Sequence, residues 1–408
     1  MKMKIGPAIR SDGWGYYLYL PAIFIYHDLH FSFLKSANLP SEVARYRATD
    51  GIWQGLSGDG GTGYRDKYAF GPAVMQTPFF LGALAFAKLK RPAVDGFETP
   101  FQVGNVLSGA FYFALGTWLI YRTTLRRYGQ FASIAAILFA ILTTNLLFYA
   151  AFDASYSHVY GYCLVAGLLH LTISTEDAGV PPRLGSYVLF GFLMGLAVMV
   201  RPTNAVVAPL YLIFIRRANV REIATGSLAG FAASAVAASP QMLVWLITSG
   251  SLIHWSYVNE GFKFPPSNVL AYVATLPKGI FFWHPAYFFM IASVGAQLPV
   301  RRFETMVLLA IIALNIYIGA SWGNNSFGHS FGCRQIVEMI PLMLPSVAAA
   351  VGWSIKSVAR RRIAAALTAA LAAVNTIQFY GYVIGTLPQN YATLASYRAF
   401  WVNPFRRE

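Results

Sequence analysis

The chain has 408 residues, 56% of them hydrophobic and only 12% charged. Soluble domains carry about 25% charged residues, so a chain this apolar needs a bilayer as solvent. The net charge of +15 does not point to nucleic acid, because the basic residues lie dispersed between apolar runs. It fits an excess of Lys and Arg facing a cytoplasm. Cys163 sits in an apolar run and Cys333 in a polar loop, which gives neither a disulfide framework nor a zinc spacing.

Residues 1–101 read as an extracytoplasmic segment. Two amphipathic stretches, 14–34 and 69–88, each carry a proline and scattered charges, which predicts helices lying in the membrane interface. The run GLSGDGGTGYRDKY between them lacks the lysine and apolar helix of a phosphate loop and reads as a flexible loop. Nothing apolar precedes residue 11 to carry this segment across a membrane, so a further spanning helix is expected ahead of it.

Residues 102–390 read as a transmembrane helical bundle and 391–408 as a short polar tail. The fold class is therefore an all-α polytopic membrane protein. A spanning helix takes about 20 mostly apolar residues. Ten candidates follow: 102–121, 131–149, 158–174, 185–200, 203–215, 224–248, 280–298, 304–321, 335–355 and 363–385. The fourth and fifth meet at Arg201-Pro202-Thr203-Asn204, where a proline and a charge favour a turn. With residue 102 outside, five short inner loops hold thirteen of the 31 basic residues. The outer segments between helices hold only Arg201, Lys263, Lys278 and Arg334. That asymmetry supports the threading. The tail, with Arg398, Arg406 and Arg407, fits it less well. The outer segments 250–279 and 322–334 and the turns 150–157 and 201–204 gather the polar groups on one membrane face, where a site belongs.

Several motifs occur in order: Asp-Gly-x-Gly-Tyr-Tyr (12–17), Asp-Lys-Tyr-x-x-Gly-Pro (66–72) followed by TPFF (77–80), and Arg-Pro-Thr-Asn (201–204). Then come Pro-Lys-Gly-Ile-Phe-Phe-Trp-His-Pro (277–285) and Trp-Gly-x-x-Ser-Phe-Gly (322–328), with Arg334 close behind. Together they resemble the membrane-embedded C-superfamily (GT-C) glycosyltransferases, in the branch similar to protein O-mannosyltransferases and lipid A aminoarabinose transferases. The resemblance covers nearly the whole chain, through motif order and topology rather than through any one motif. It implies transfer of a sugar from a polyprenyl-phosphate donor to a glycan, lipid or protein acceptor at the outer face. In a bacterium that is the periplasmic face of the inner membrane. The family's catalytic base is an aspartate early in the first outer loop, and Asp12 matches it. The family's first helix, which normally precedes that aspartate, has no counterpart in this sequence.

Inverting transfer needs one base to deprotonate the acceptor, with cations to hold the departing phosphate. Asp12 is the candidate base; the other reading is a helix cap, since Ser11-Asp12 precedes an apolar segment. Tyr16, Tyr17 and Tyr19 either stack on a sugar or anchor the segment at the interface. Lys67, beside Asp66 and Tyr68, either meets a phosphate or contacts headgroups. Asp50 and Asp59 read as solvated. Asp153 and His158 at an outer turn either position an acceptor or a divalent ion, or cap the next helix. Arg201 and Lys278 either bind phosphate or snorkel, and His284 is as readily an ordinary interfacial histidine. Arg334 follows a glycine-rich loop and suits bidentate phosphate binding; the alternative is a pair with Glu338 one turn on. His329 and Asn324 are weaker members of that cluster, and Glu260 either orients the acceptor or is solvated. No cofactor is assigned, and the resemblance leaves a divalent metal open. The competing reading is a transporter or flippase, which places ligand groups near the midplane on broken helices, often in two related halves. No such relation between halves is visible here.

Overall fold

The computed structural model describes residues 8–35, 55–61, 63–91, 93–257, 260–276, 278–323, 330–389 and 392–405. The described residues are all-α apart from one small hairpin and an isolated bridge between Phe262 and Trp322. Helix α1, Asp12–Pro21, runs on as a π-turn, Ala22–Tyr26. It does not lie on a lipid surface as its amphipathic pattern predicts. Gly13 to Pro21 are all buried, packed among Phe80, Phe97 and Phe101 in a satellite core of the outer segment.

The glycine-rich run is a structured element rather than a flexible loop. Strands β1, Leu56–Gly58, and β2, Tyr64–Asp66, pair antiparallel. Asp59, read as solvated, closes the turn: its Oδ1 accepts the amides of Gly61 (2.8 Å) and Gly63 (3.1 Å), and its Oδ2 meets His30. Asp50 lies outside the described residues.

Helix α2, Gly71–Lys90, leads to α3, Thr99–Thr143, which is broken at Gly129 by left-handed backbone (φ 79°) where the sequence predicts a loop between two spans. Then come α4 (Ser157–Ala178), α5 (Leu184–Val200), α6 (Leu210–Phe214) and α7 (Val220–Ser249). The predicted break at Arg201-Pro202 is present: α5 stops at Val200 and a 3-10 turn, Pro202–Val207, follows. α5 and α7 approach closely through glycine. A Cβ on Gly191 would stand 1.8 Å from the Gly230 carbonyl oxygen, so only a bare backbone fits there. Small residues of this kind let apolar helices associate without a hydrophobic drive between them.

The remaining helices are α8 (Val269–Ala274), α9 (Ile280–Trp283), α10 (Ala286–Gly295), α11 (Arg302–Ser321), α12 (Ile340–Ser354), α13 (Val358–Ile384) and α14 (Leu394–Val402). The stretch 280–298 is not one continuous helix. His284-Pro285 separates α9 from α10, because proline lacks the amide that would carry the helix on.

Among the described residues, five helices are long and apolar enough to cross a membrane: Thr99–Thr143, Val220–Ser249, Arg302–Ser321, Arg334–Ser354 and Val358–Ile384. Several turn apolar side chains outward, as Phe231 at 75% exposure and Ile363 at 67% show. In water such faces would be costly; against lipid they are at home. α4 and the segment Arg334–Ser354 form the buried centre, walled by tyrosines and aliphatics.

Candidate functional site

α1, the turn after β2, the start of α4, the turn after α5 and the 3-10 turn Arg334–Met339 converge on one cavity of about 390 Å³. Asp12 sits in its wall. The N-cap of α1 is Ser11, which makes no side-chain cap, so the capping reading of Asp12 does not hold. Its carboxylate is turned into the cavity. Arg334 donates to Oδ2 at 2.5 Å and the Tyr68 hydroxyl to Oδ1 at 2.8 Å. Burial pushes the Asp12 carboxyl up. Arg334 and the Tyr68 hydrogen bond outweigh it and hold the group below the usual carboxylate range.

The Asp-Gly-x-Gly-Tyr-Tyr motif has a steric reason. A Cβ on Gly15 would lie 1.9 Å from the Tyr68 ring, and one on Gly13 would lie 1.9 Å from Ser155 Oγ. Bare backbone at both positions lets Tyr68 and the α4 turn close over Asp12. Ser11, at φ 46°, adopts a left-handed conformation that non-glycine residues rarely take, so the turn before Asp12 is strained. Such strain persists where the surroundings over-determine it. The two adjacent tyrosines then diverge. Tyr16 faces the cavity, whereas Tyr17 is core: its hydroxyl donates to the Gly96 carbonyl and its ring packs on Phe80 and Phe97. A substrate-binding role for Tyr17 is thus not met. Tyr19 is also buried and donates to the Tyr68 carbonyl.

Arg334 does not pair with Glu338 across one helical turn. Glu338 accepts instead from Arg201 (3.0 Å) and from the His158 Nδ1 nitrogen (2.9 Å), and Gly161 leaves room for its side chain against α4. The backbone ahead of Arg334 is fixed from below: Asn145 donates to the carbonyls of Phe331 and Cys333 at 3.1 Å each, and Tyr287 holds the Asn145 carbonyl at 2.6 Å. Lys67 pairs with Glu260 at 2.8 Å on the cavity wall. The cavity thus gathers Arg334, Arg201 and Lys67 around Asp12, and Glu260 is ion-paired while its side chain stays 36% exposed.

Three other candidates fall elsewhere. Lys278 is not on the cavity: it is buried and donates to the carbonyls of Ser330 and Gln389, and burial brings its ammonium down to about 7. A sealed amine hydrogen-bonded to backbone is not placed to meet a phosphate. Asp153 neither caps α4 nor converges with His158; it faces Arg10 at 3.6 Å while His158 faces Glu338. His158 lines the cavity, and among the described residues no three His, Cys, Asp or Glu side chains gather to hold an ion. His329 and Asn324 lie outside the described residues. His284 is buried against Phe331, away from the cavity.

One wall was only partly singled out from the sequence: Trp322 opens the 322–328 motif, whereas Trp255, Tyr257 and Phe262 have no counterpart there. Trp255, Tyr257, Phe262 and Trp322 line the same cavity as Asp12. For Trp255, Tyr257 and Phe262 the signal was present in the aromatic density of the segment 250–279, which carries no periodicity to give the rings a direction.

Comparison of the chain with protein-family models, curated proteins and solved structures finds no match.

Proposed function

We propose that this chain is an integral-membrane glycosyltransferase that moves a sugar from a polyprenyl-phosphate donor to an acceptor. The observation that carries the reading is the meeting of Asp12 and Arg334 in one cavity, although 322 positions separate them in the chain. A carboxylate beside a buried guanidinium, with Arg201 and Lys67 on the same cavity, supplies a base and phosphate-binding cations together.

The reaction is an inverting displacement. Asp12 takes the proton of an acceptor hydroxyl or amine, and the freed electron pair attacks the anomeric carbon. The bond from that carbon to the phosphate oxygen breaks, and its electrons leave with the polyprenyl phosphate. Arg334 and Arg201 hold the growing negative charge. In the resting site Arg334 is engaged with Asp12. An arriving donor phosphate competes for that guanidinium, so Asp12 becomes a stronger base when the donor is bound. The His158–Glu338–Arg201 cluster keeps Arg201 in place from behind, and Glu260 sets Lys67.

We further propose that the chain threads a bacterial inner membrane about ten times, with this cavity toward the periplasm. Support comes from the five long apolar helices, the shorter apolar segments between them and the basic inner loops. Transfer assays on membranes given radiolabelled polyprenyl-phosphate sugars and cell-envelope acceptors test the reading. The wild type is expected to transfer label, and Asp12→Asn to lose at least about a thousandfold while still eluting as a folded protein. Retained transfer by Asp12→Asn removes the base assignment. Accumulation of substrate in proteoliposomes without transfer favours a transporter.

A further inference from the structure

The aromatic wall of the Asp12 cavity calls for its own explanation. Trp255 is 55% exposed and leans on Tyr257 (ring centroids 5.9 Å apart) and Trp322 (6.5 Å). Phe262 meets Trp322 edge to face at 4.9 Å. The wall is rigidly held. Trp255 Nε1 donates to the carbonyls of Tyr257 (2.9 Å) and Glu260 (3.1 Å), so the indole has spent its only donor on its own loop. Phe262 and Trp322 form an antiparallel bridge, and Lys263 and Gly323 exchange backbone bonds with Ser321 and Gly261. Ser256 ties the loop to the Lys67 carbonyl at 3.0 Å. The rings therefore offer faces rather than hydrogen-bonding groups, beside the paired charges of Lys67 and Glu260.

A fixed ring face next to a small number of charged groups suits one ligand chemistry above others. A pyranose presents polarised C–H bonds on one face, which the negative face of an aromatic ring attracts, and hydroxyls at its edge. Lys67 and Glu260 supply the edge partners. A cavity of about 390 Å³ lies at the small end of ligand pockets and suits a single sugar phosphate rather than a chain. A phosphate held by Arg334 and Arg201 would leave its attached ring in the same cavity as this aromatic wall.

We propose that Trp255, backed by Tyr257 and Trp322, is the stacking platform for the sugar ring of the donor. The proposal rests on the glycosyltransferase reading above and adds to it the residue that sets affinity for the donor's sugar.

The test is equilibrium binding to purified full-length protein in detergent without acceptor. The probes are bare polyprenyl phosphate and a panel of gluco-, manno-, galacto- and aminopentopyranosyl polyprenyl phosphates. Trp255→Ala is expected to weaken the preferred glycosylated carrier on the order of tenfold and bare carrier by less than about twofold. Trp255→Phe, which keeps a ring face, is expected to restore most of the loss. An equal loss for bare and glycosylated carriers overturns the proposal in favour of a contact with the prenyl chain. So does a wild type that gains nothing from any sugar on the carrier, or Phe that performs no better than Ala. A wild type that binds neither form of carrier overturns the glycosyltransferase reading as well, and so separates the two failures.

Discussion

Arg127 and Arg334 are both buried arginines facing carboxylates, yet they do different work. Arg127, on α3, directs each of its three nitrogens at an acid. Nε and NH2 meet Asp177 at 2.7–3.1 Å, and NH1 meets Glu304 at 2.7 Å. Arg301 approaches the same two acids, and Arg216 and Arg217 meet Glu176 nearby. This cluster ties α3, α4 and α11 together and lines no cavity among those described. Arg334 meets Asp12 through one nitrogen at the wall of a cavity, with two more cations on the same walls. A saturated charge cluster is structural; one that opens on a cavity is poised to exchange partners. The contrast also explains why a cation-rich cluster need not be a site.

The largest effect expected from this contrast is on stability. Arg127→Met leaves Asp177 and Glu304 without their cation inside the bundle, and removing one partner of a buried pair costs about 3–5 kcal/mol. Asp177 is partly exposed, which favours the lower end. Thermal unfolding in detergent reads the loss, while transfer per folded molecule stays near wild type. A folded Arg127→Met protein without activity would break the comparison.

Arg334→Lys gives the opposite pattern. Lysine keeps the charge beside Asp12 but replaces a planar fork by a point charge. Turnover is expected to fall on the order of a hundredfold, as when one stabilising donor is lost from a developing anion. The unfolding midpoint is expected to move far less than for Arg127→Met. A midpoint that collapses with activity would make Arg334 another structural clamp.

The sequence carried the all-α class and the break at Arg201, because long apolar runs and punctuating prolines are local signals. It carried Asp12 through a glycine motif whose steric meaning appears only when Tyr68 lies across Gly15. It could not tell Tyr16 from Tyr17. Their directions depend on which face of α1 is covered, and that helix is buried all round instead of amphipathic. Nor could it choose partners: the nearest acid to Arg334 in sequence is Glu338, but the long-range pair with Asp12 takes its place. Lys278 was misread for the same reason, since its carbonyl partners come from Ser330 and Gln389, 52 and 111 positions away.

Asp153 gives the smallest effect and the finest test of the comparison, because it belongs wholly to neither class. It is buried close to Asp12, but it faces Arg10 at 3.6 Å, too far for a good hydrogen bond. Burial pushes its carboxyl up to about 7, with Arg10 pulling the other way. The sign follows from that rise. A group that binds its proton more tightly when folded adds stability at low pH. That stability is fully present below the ordinary carboxylate range and is lost as pH climbs through about 7. Asp153→Asn mimics the protonated form at every pH. Its unfolding free energy is therefore expected to match wild type near pH 4, to rise above it as pH climbs to about 7 and to keep a constant lead above that, by roughly 1–3 kcal/mol once loss of the weak Arg10 contact is allowed for. Asp12 has the opposite sign, since its carboxyl is held low and its ionised form is the stabilised one. If Asp153→Asn instead loses stability at pH 8, the charged pair with Arg10 is a clamp like that of Arg127, and Asp153 moves to the structural side of the divide.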